Sequence, residues 1–249
     1  MAGHSKFKNI MHRKGAQDKK RAKIFSRLGR EISVAVKEGG PDPEKNIRLR
    51  SAVGSAKSLN MPKDNIERAI KKGEGNDPNN NYEEVRYEGY GPDGVAIIVE
   101  ALTNNKNRTA AEVRSTFGKY GGNLGETGSV SFGFKRLGSI TISQNNINEE
   151  ELFDFIVENG SEDYEITGDE YNIYCDQKIL HELNQKIIEK FGQTNFVGLI
   201  WKSENDIKVS KDKAETLFKL LNILEENEDV QLVSSNFDVS EDVLASLTA

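Results

Sequence analysis

Cysteine is all but missing from this chain of 249 residues, with Cys175 standing alone. No disulfide framework can therefore organise the fold, and a reducing cytoplasmic setting is expected. Histidine is scarce too: His4, His12 and His181 have no cysteine or carboxylate at metal-ligand spacing, so no metal site is expected. The chain lacks a Gly-x-Ser-x-Gly elbow, and its one cysteine sits in a strand-like run without an activating partner, so neither a catalytic residue nor an enzyme activity is expected. Gly121, Gly122, Gly125 and Gly128 follow a helical pattern rather than a strand, and no Gly-Lys-Ser/Thr closes them. They read as a turn-rich connection rather than a phosphate loop, and no cofactor is expected. No apolar run approaches the roughly 20 residues that span a bilayer, and neither a signal peptide nor an organelle presequence is expected, so a membrane is not among the anticipated partners. The acidic runs Glu149-Glu150-Glu151 and Glu225-Glu226 read as solvated helix ends, from which paired catalytic carboxylates do not follow.

What the chain does have is charge, at 30% Asp, Glu, Lys and Arg against 36% hydrophobic residues, and that charge is segregated. Residues 1–75 carry nineteen Lys and Arg against eight Asp and Glu, a net of +11, while the remainder carries a net of −17. Solubility gives no reason to polarise a chain in this way, whereas attraction to a polyanion does. The densest block is residues 5–30, where Lys6, Lys8, Arg13, Lys14, Lys19, Lys20, Arg21, Lys23, Arg27 and Arg30 face a single acid, Asp18. From about Asp18 to Lys37, Phe25, Leu28, Ile32 and Ala35 recur at the spacing of one buried helical stripe. Lys20, Lys23, Arg27 and Arg30 repeat that spacing five positions earlier, about 140° around the helix at roughly 100° per residue, so they are expected to point away from it. A solvated helix can carry such a face without any partner. The preceding residues 3–14, basic and short of apolar residues, read as an arm that orders on a partner.

The first helix should stop near Gly39-Gly40, and Asp42-Pro43 should cap and open a second helix running to about Leu59. Pro62 should open a third, with Ile66, Ala69 and Ile70 inward and Gly73 ending it. Residues 75–81 read as a linker. Strands are then expected near Val85–Tyr87, Val95–Val99 and Val130–Phe134, with a helix from Asn107 to Lys119. From Ser139 to Trp201 the order is strand, helix, strand, strand, helix, strand, a ferredoxin-like split βαβ plait. A last helix from Ala214 and a strand at Val230–Val233 would complete the sheet left unfinished at Phe134. The expected fold class is therefore α+β, with a three-helix module followed by two small α+β domains, one a plait inserted in the other. The corresponding divisions are residues 1–75, residues 80–137 with 206–240, and residues 138–205.

Several long motifs resemble those of the YebC/PmpR family. They are Gly3-His4-Ser5-Lys6-Phe7 with His12-Arg13-Lys14, Asn60-Met61-Pro62-Lys63-Asp64-Asn65-Ile66, Tyr87-Glu88-Gly89-Tyr90-Gly91-Pro92, Asn107-Arg108-Thr109, Gly121-Gly122-Asn123-Leu124-Gly125 and Asn236-Phe237-Asp238. The similarity spans essentially the whole chain. It departs at Phe7, where the family usually has Trp, and at Gly29, where a larger apolar residue is common. The resemblance implies a three-domain cytoplasmic protein that binds DNA as a transcriptional regulator. It also implies an alternative, since relatives include mitochondrial translational activators and bacterial members linked to the ribosome.

The residues themselves do not choose between DNA and RNA. Phosphate contacts position a protein without reading sequence, and no helix-turn-helix presenting base-reading side chains is evident. The candidate contacts are His4, Lys6, Lys8, His12, Arg13, Lys14, Lys19, Lys20, Lys23, Arg27 and Arg30, with Arg48, Arg50, Lys63 and Arg68 secondary. Phe7, His4 and His12 could add stacking on exposed bases. The acidic body would be left to meet a protein partner, and a purely protein-binding module is the competing class.

Overall fold

The computed structural model describes residues 17–75, 81–145, 147–240 and 242–243, with backbone alone for residues 17–20. The expected linker and basic arm fall largely outside these residues. The chain divides into two compact units, residues 1–27, 77–135 and 201–249 forming one and residues 28–76 and 136–200 the other.

In the second unit, three helices come first: α1 (Gln17–Gly39), whose later turns lie here, α2 (Ile47–Ser58) and α3 (Lys63–Glu74). Residues 32–36 of α1 are buried on every side. The spacing predicts a single inward stripe, but the helix is enclosed as its polar Ser33 bonds across to the Ala69 carbonyl, 2.8 Å away. Gly40, at φ +85°, stops α1. The start of α2 corrects the expected cap. Asp42 and Pro43 begin a turn, closed by Asn46 N–H donating to the Asp42 carbonyl at 2.9 Å, and Asn46 is the residue that caps. Its carboxamide oxygen accepts from Leu49 N–H at 3.0 Å while its NH2 donates to Ala35 and Gly40 carbonyls at 2.6 and 2.8 Å. One buried side chain thus satisfies the end of one helix and the start of the next. Gly73 does not terminate α3 either. It is buried inside the helix, where a Cβ would lie 2.5 Å from the Ser33 carbonyl, so it is the point of close approach to α1.

The plait of this unit runs β4 (Phe134–Ser143), α5 (Glu149–Glu158), β5 (Ser161–Thr167), β6 (Glu170–Cys175), α6 (Leu180–Phe191) and β7 (Phe196–Ser203). The sheet order β5-β6-β4-β7 is that of a ferredoxin-like domain, with β6 antiparallel to both β4 and β5. Ile140, Ile142, Leu152, Ile156, Ile173, Leu183 and Ile187 form its core.

In the first unit, β1 (Glu83–Tyr90), β2 (Ala96–Thr103), α4 (Lys106–Lys119) and β3 (Asn123–Leu124) are followed, after the plait, by β8 (Ile207–Lys208), α7 (Lys211–Glu226), β9 (Val230–Ser235) and β10 (Phe237–Asp238). The sheet order is β3-β1-β2-β9, all pairs antiparallel, so the C-terminal strand lies against β2, with Ile97 opposite Ser235 and Val99 opposite Val233. The plait is therefore inserted in this sheet domain. Strand β2 is buried on both faces, which is why it reads as an unbroken apolar run. Ile97 and Val99 meet Phe117, Leu217, Leu220 and Leu224, while Ile98 meets Val130, Phe134 and Trp201.

One expected strand is corrected. Val130–Phe134 is not a strand of its own, because Ser131–Gly133 is a short 3-10 turn and Phe134 begins β4. The buried Glu88 carboxylate accepts from Val130 and Ser131 N–H groups at 3.0 and 2.9 Å, which removes those donors from any ladder and leaves Phe132 77% exposed.

Candidate nucleic-acid interface

His4, Lys6, Lys8, His12, Arg13 and Lys14 lie outside the described residues, as do the side chains of Lys19 and Lys20, although α1 carries their backbone. The remaining sequence-derived candidates fall into three environments.

Lys23 and Arg27 are one turn apart on α1 and both are engaged within the first unit. Lys23 Nζ donates to the Glu226 carbonyl and Arg27 Nη2 to the Glu225 carbonyl, at the C-terminal end of α7. The spacing of the basic stripe predicts an open face here. The angle is set by the sequence, but another helix end, about two hundred residues later, comes to meet it. Burial holds the Lys23 ammonium below its ordinary pKa, and the neighbouring Arg27 pushes the same way, against Glu226, Glu228 and Glu225. Nearby, the exposed Arg21 lies over the Phe25 ring at 5.5 Å. Arg30 is half-buried.

Arg48 and Arg50 sit on α2. Arg48 holds Glu31 through two bonds of 2.7 and 3.1 Å and Glu38 through a third of 2.7 Å, so each of its three nitrogens donates to a carboxylate of α1. Arg50 is 3.9 Å from Glu44.

The third environment is the outer face of α3, whose buried line is Ile66, Ala69 and Gly73. Away from that line are the exposed Arg68, Lys71 and Lys72, the last two in the final turn, where cations complement the helix dipole, while the exposed Lys63 stands on the helix's other flank. Lys63 makes only an exposed i,i+4 pair with Glu67 at 3.5 Å, worth a few tenths of a kcal/mol and easily exchanged for a phosphate. Lys71 and Lys72 are absent from the sequence-derived candidates. Their position three and four residues after Arg68 is the signal that places them on the same face.

The body's motif residues have structural work. Gly89 and Gly122 let β1 and the segment after α4 touch, since a Cβ on either would come within 2.5 or 2.6 Å of a backbone carbonyl. Asn236 accepts from Ala96 N–H at 2.8 Å and donates to the Asn205 carbonyl at 2.9 Å. Cys175 is buried in the plait core, and burial pushes its thiol up to about 11. Among the described residues, no three His, Cys, Asp or Glu side chains are placed to hold a metal, and no helix is long and apolar enough to cross a membrane.

Comparison with known proteins fits this layout. The model of the TACO1/YebC protein N-terminal domain matches residues 5–76, and that of the TACO1/YebC second and third domain matches residues 82–237. A crystal structure of a conserved hypothetical protein from Aquifex aeolicus, Aq1575, is similar at 44% identity and a TM-score of 0.84, over 90% of this chain and 93% of that one. The matching family is a regulator-type family. The chain belongs to the TACO1/YebC family, in agreement with the YebC/PmpR resemblance of its motifs.

Proposed function

We propose that this protein is a non-enzymatic regulator that binds nucleic acid through its N-terminal module, acting in the cytoplasm as a DNA-binding regulator of transcription. The observation that carries this reading is the segregation of charge, +11 in residues 1–75 against −17 in the rest. The outer face of α3 supports it, since the exposed Arg68, Lys71 and Lys72 lie within about 100° of one another around the helix.

A second reading, binding to structured RNA such as that of the ribosome in support of translation, draws on the same face. Lysines and arginines on α3 are suited to phosphates, and phosphate contacts do not distinguish one base sequence from another. The acidic body is then free to engage a protein partner.

The test is binding of the full chain to a labelled DNA duplex and a labelled RNA hairpin by fluorescence anisotropy. If about 6 to 10 phosphates are neutralised, affinity falls by roughly three to five orders of magnitude between about 50 and 200 mM salt. Arg68→Glu with Lys71→Glu weakens binding to the preferred probe. A flat salt response on both probes sinks the reading, and the ratio of the two affinities chooses between DNA and RNA.

A further inference from the structure

We propose that the C-terminal end of α7 is an internal competitor for the phosphate-binding cations of α1, an autoinhibitory clasp that a polyanion must displace. The inference rests on the nucleic-acid reading above and concerns the regulation of the same surface.

The end of α7 is electrostatically unfavourable by its own sequence. Its last turn holds Glu225 and Glu226, with Glu228 just beyond, and contains no basic residue. The unpaired carbonyls of a helix C-terminus carry about half a negative charge, so acids there are at the wrong end of the dipole. The missing cations arrive from α1: Lys23 on the Glu226 carbonyl and Arg27 on the Glu225 carbonyl, across 203 and 198 residues of chain. Two charges that the stripe on α1 would present to a ligand are thereby withheld in the free protein.

The contact is built to be exchangeable. Carbonyl oxygens offer partial charges, whereas each phosphodiester offers a full one, so a nucleic acid that has already engaged other cations of the module can take over Lys23 and Arg27. Until then Glu225, Glu226 and Glu228 stand near Lys23 and repel an approaching phosphate. A clasp of this kind lowers affinity for short or weakly charged polyanions more than for long ones, which bind elsewhere first.

The test uses the full chain and two triple variants of equal charge change. Glu225→Gln/Glu226→Gln/Glu228→Gln weakens the clasp without adding cations. Glu149→Gln/Glu150→Gln/Glu151→Gln, in the plait, controls for the loss of net negative charge. The clasp variant is expected to bind the duplex or hairpin on the order of 10-fold tighter, with the control moving affinity less than about 2-fold, and to show faster amide hydrogen exchange in residues 21–27. Adding Lys23→Gln/Arg27→Gln should reduce the salt slope by about 2 in wild type and clasp variant alike, one phosphate contact per cation, since the bound polyanion has displaced the clasp in both, and should erase most of the affinity gap between them. Equal gains in both triple variants, or unaltered exchange in residues 21–27 alongside tight salt-dependent binding, overturn the clasp alone. Faster exchange with no salt-dependent binding by any variant overturns both the clasp and the nucleic-acid reading, leaving a structural contact.

Discussion

Arg108 donates to Asp229 over 2.6 Å, joining the first turn of α4 to the loop before β9 across 121 residues of chain. Asp229 is buried and the same carboxylate oxygen accepts from Thr109 at 2.7 Å and Thr103 at 3.1 Å. Arg108 is 45% exposed. The two ends of the pair are therefore not equivalent. Asp229→Ala removes the buried acceptor that Thr103, Thr109 and Arg108 share and is expected to destabilise by about 2 to 3 kcal/mol. Arg108→Ala should cost less than about 1 kcal/mol, because solvent already screens its charge. Urea denaturation of both variants checks the order.

The same carboxylate sets a pH dependence. Burial alone would raise its pKa, but the bonds from Arg108, Thr109 and Thr103 outweigh it and hold the group below its ordinary 3.8. A folded-state pKa that is depressed contributes stability above the unfolded value and loses it as pH falls through the folded one. The stability gap between wild type and Asp229→Asn should thus be constant from neutral pH to about 5 and shrink below about 4. A gap that widens on acidification contradicts this account.

Glu88 has a related role in a different place. Its side chain is fully enclosed, with Arg86 Nε 2.9 Å away and Arg86 in turn over the Trp201 ring at 5.1 Å. Burial opposes ionisation, yet N–H groups of Val130, Gly128 and Ser131, with Arg86, hold its pKa below 4.5. Glu88→Ala leaves two backbone donors without partners and should destabilise by about 2 to 4 kcal/mol. Amide exchange should accelerate first at Val130 and Ser131.

Two helix glycines predict opposite outcomes for the same substitution. A Cβ at Gly29 would meet Met61 and Ala69 at ordinary contact distances of 3.8 and 3.9 Å, so Gly29→Ala should stabilise by up to about 1 kcal/mol through helix propensity. A Cβ at Gly73 would lie 2.6 Å from the Val36 Cβ and 2.5 Å from the Ser33 carbonyl. Gly73→Ala should therefore destabilise by about 1 to 3 kcal/mol despite the same propensity gain. Thermal melts of the pair decide it.

Cys175 offers a simple probe of the plait. Its thiol is buried and its pKa is raised to about 11, so it should resist a thiol reagent at neutral pH and react on unfolding. Labelling in native buffer would show that the plait opens more readily than its packing implies.

Much of this fold was legible because its elements announce themselves locally. Ile140 and Ile142, Leu152 and Ile156, Leu183 and Ile187 alternate or recur with the right period, and their order names the plait. The doubly buried β2 was legible as an apolar run, and the strand left over at Val230–Val233 was legible as part of the same sheet, though not that it would lie against β2. What escaped notice depends on long-range partners. Asn46 caps α2 because Ala35 and Gly40 supply acceptors for the rest of its amide, whereas the more conspicuous Asp42-Pro43 makes only a turn. Val130 and Phe132 alternate like a strand, but Glu88, 42 residues earlier, claims the Val130 N–H. On α1, periodicity gave the direction of Lys23 and Arg27 but not the arrival of α7. Lys71 and Lys72 needed only a comparison with Arg68 on α3.

The pairing of β2 with β9 also bears on how this chain is made. A ribosome releases β2 more than a hundred residues before its neighbour, so Ile97 and Val99 emerge with one strand flank and much of their cover still unsynthesised. The plait, contiguous in sequence, can close during that interval. The sheet domain that begins first is thus completed last, and the tail of the protein acts as the keystone of a structure started near its head.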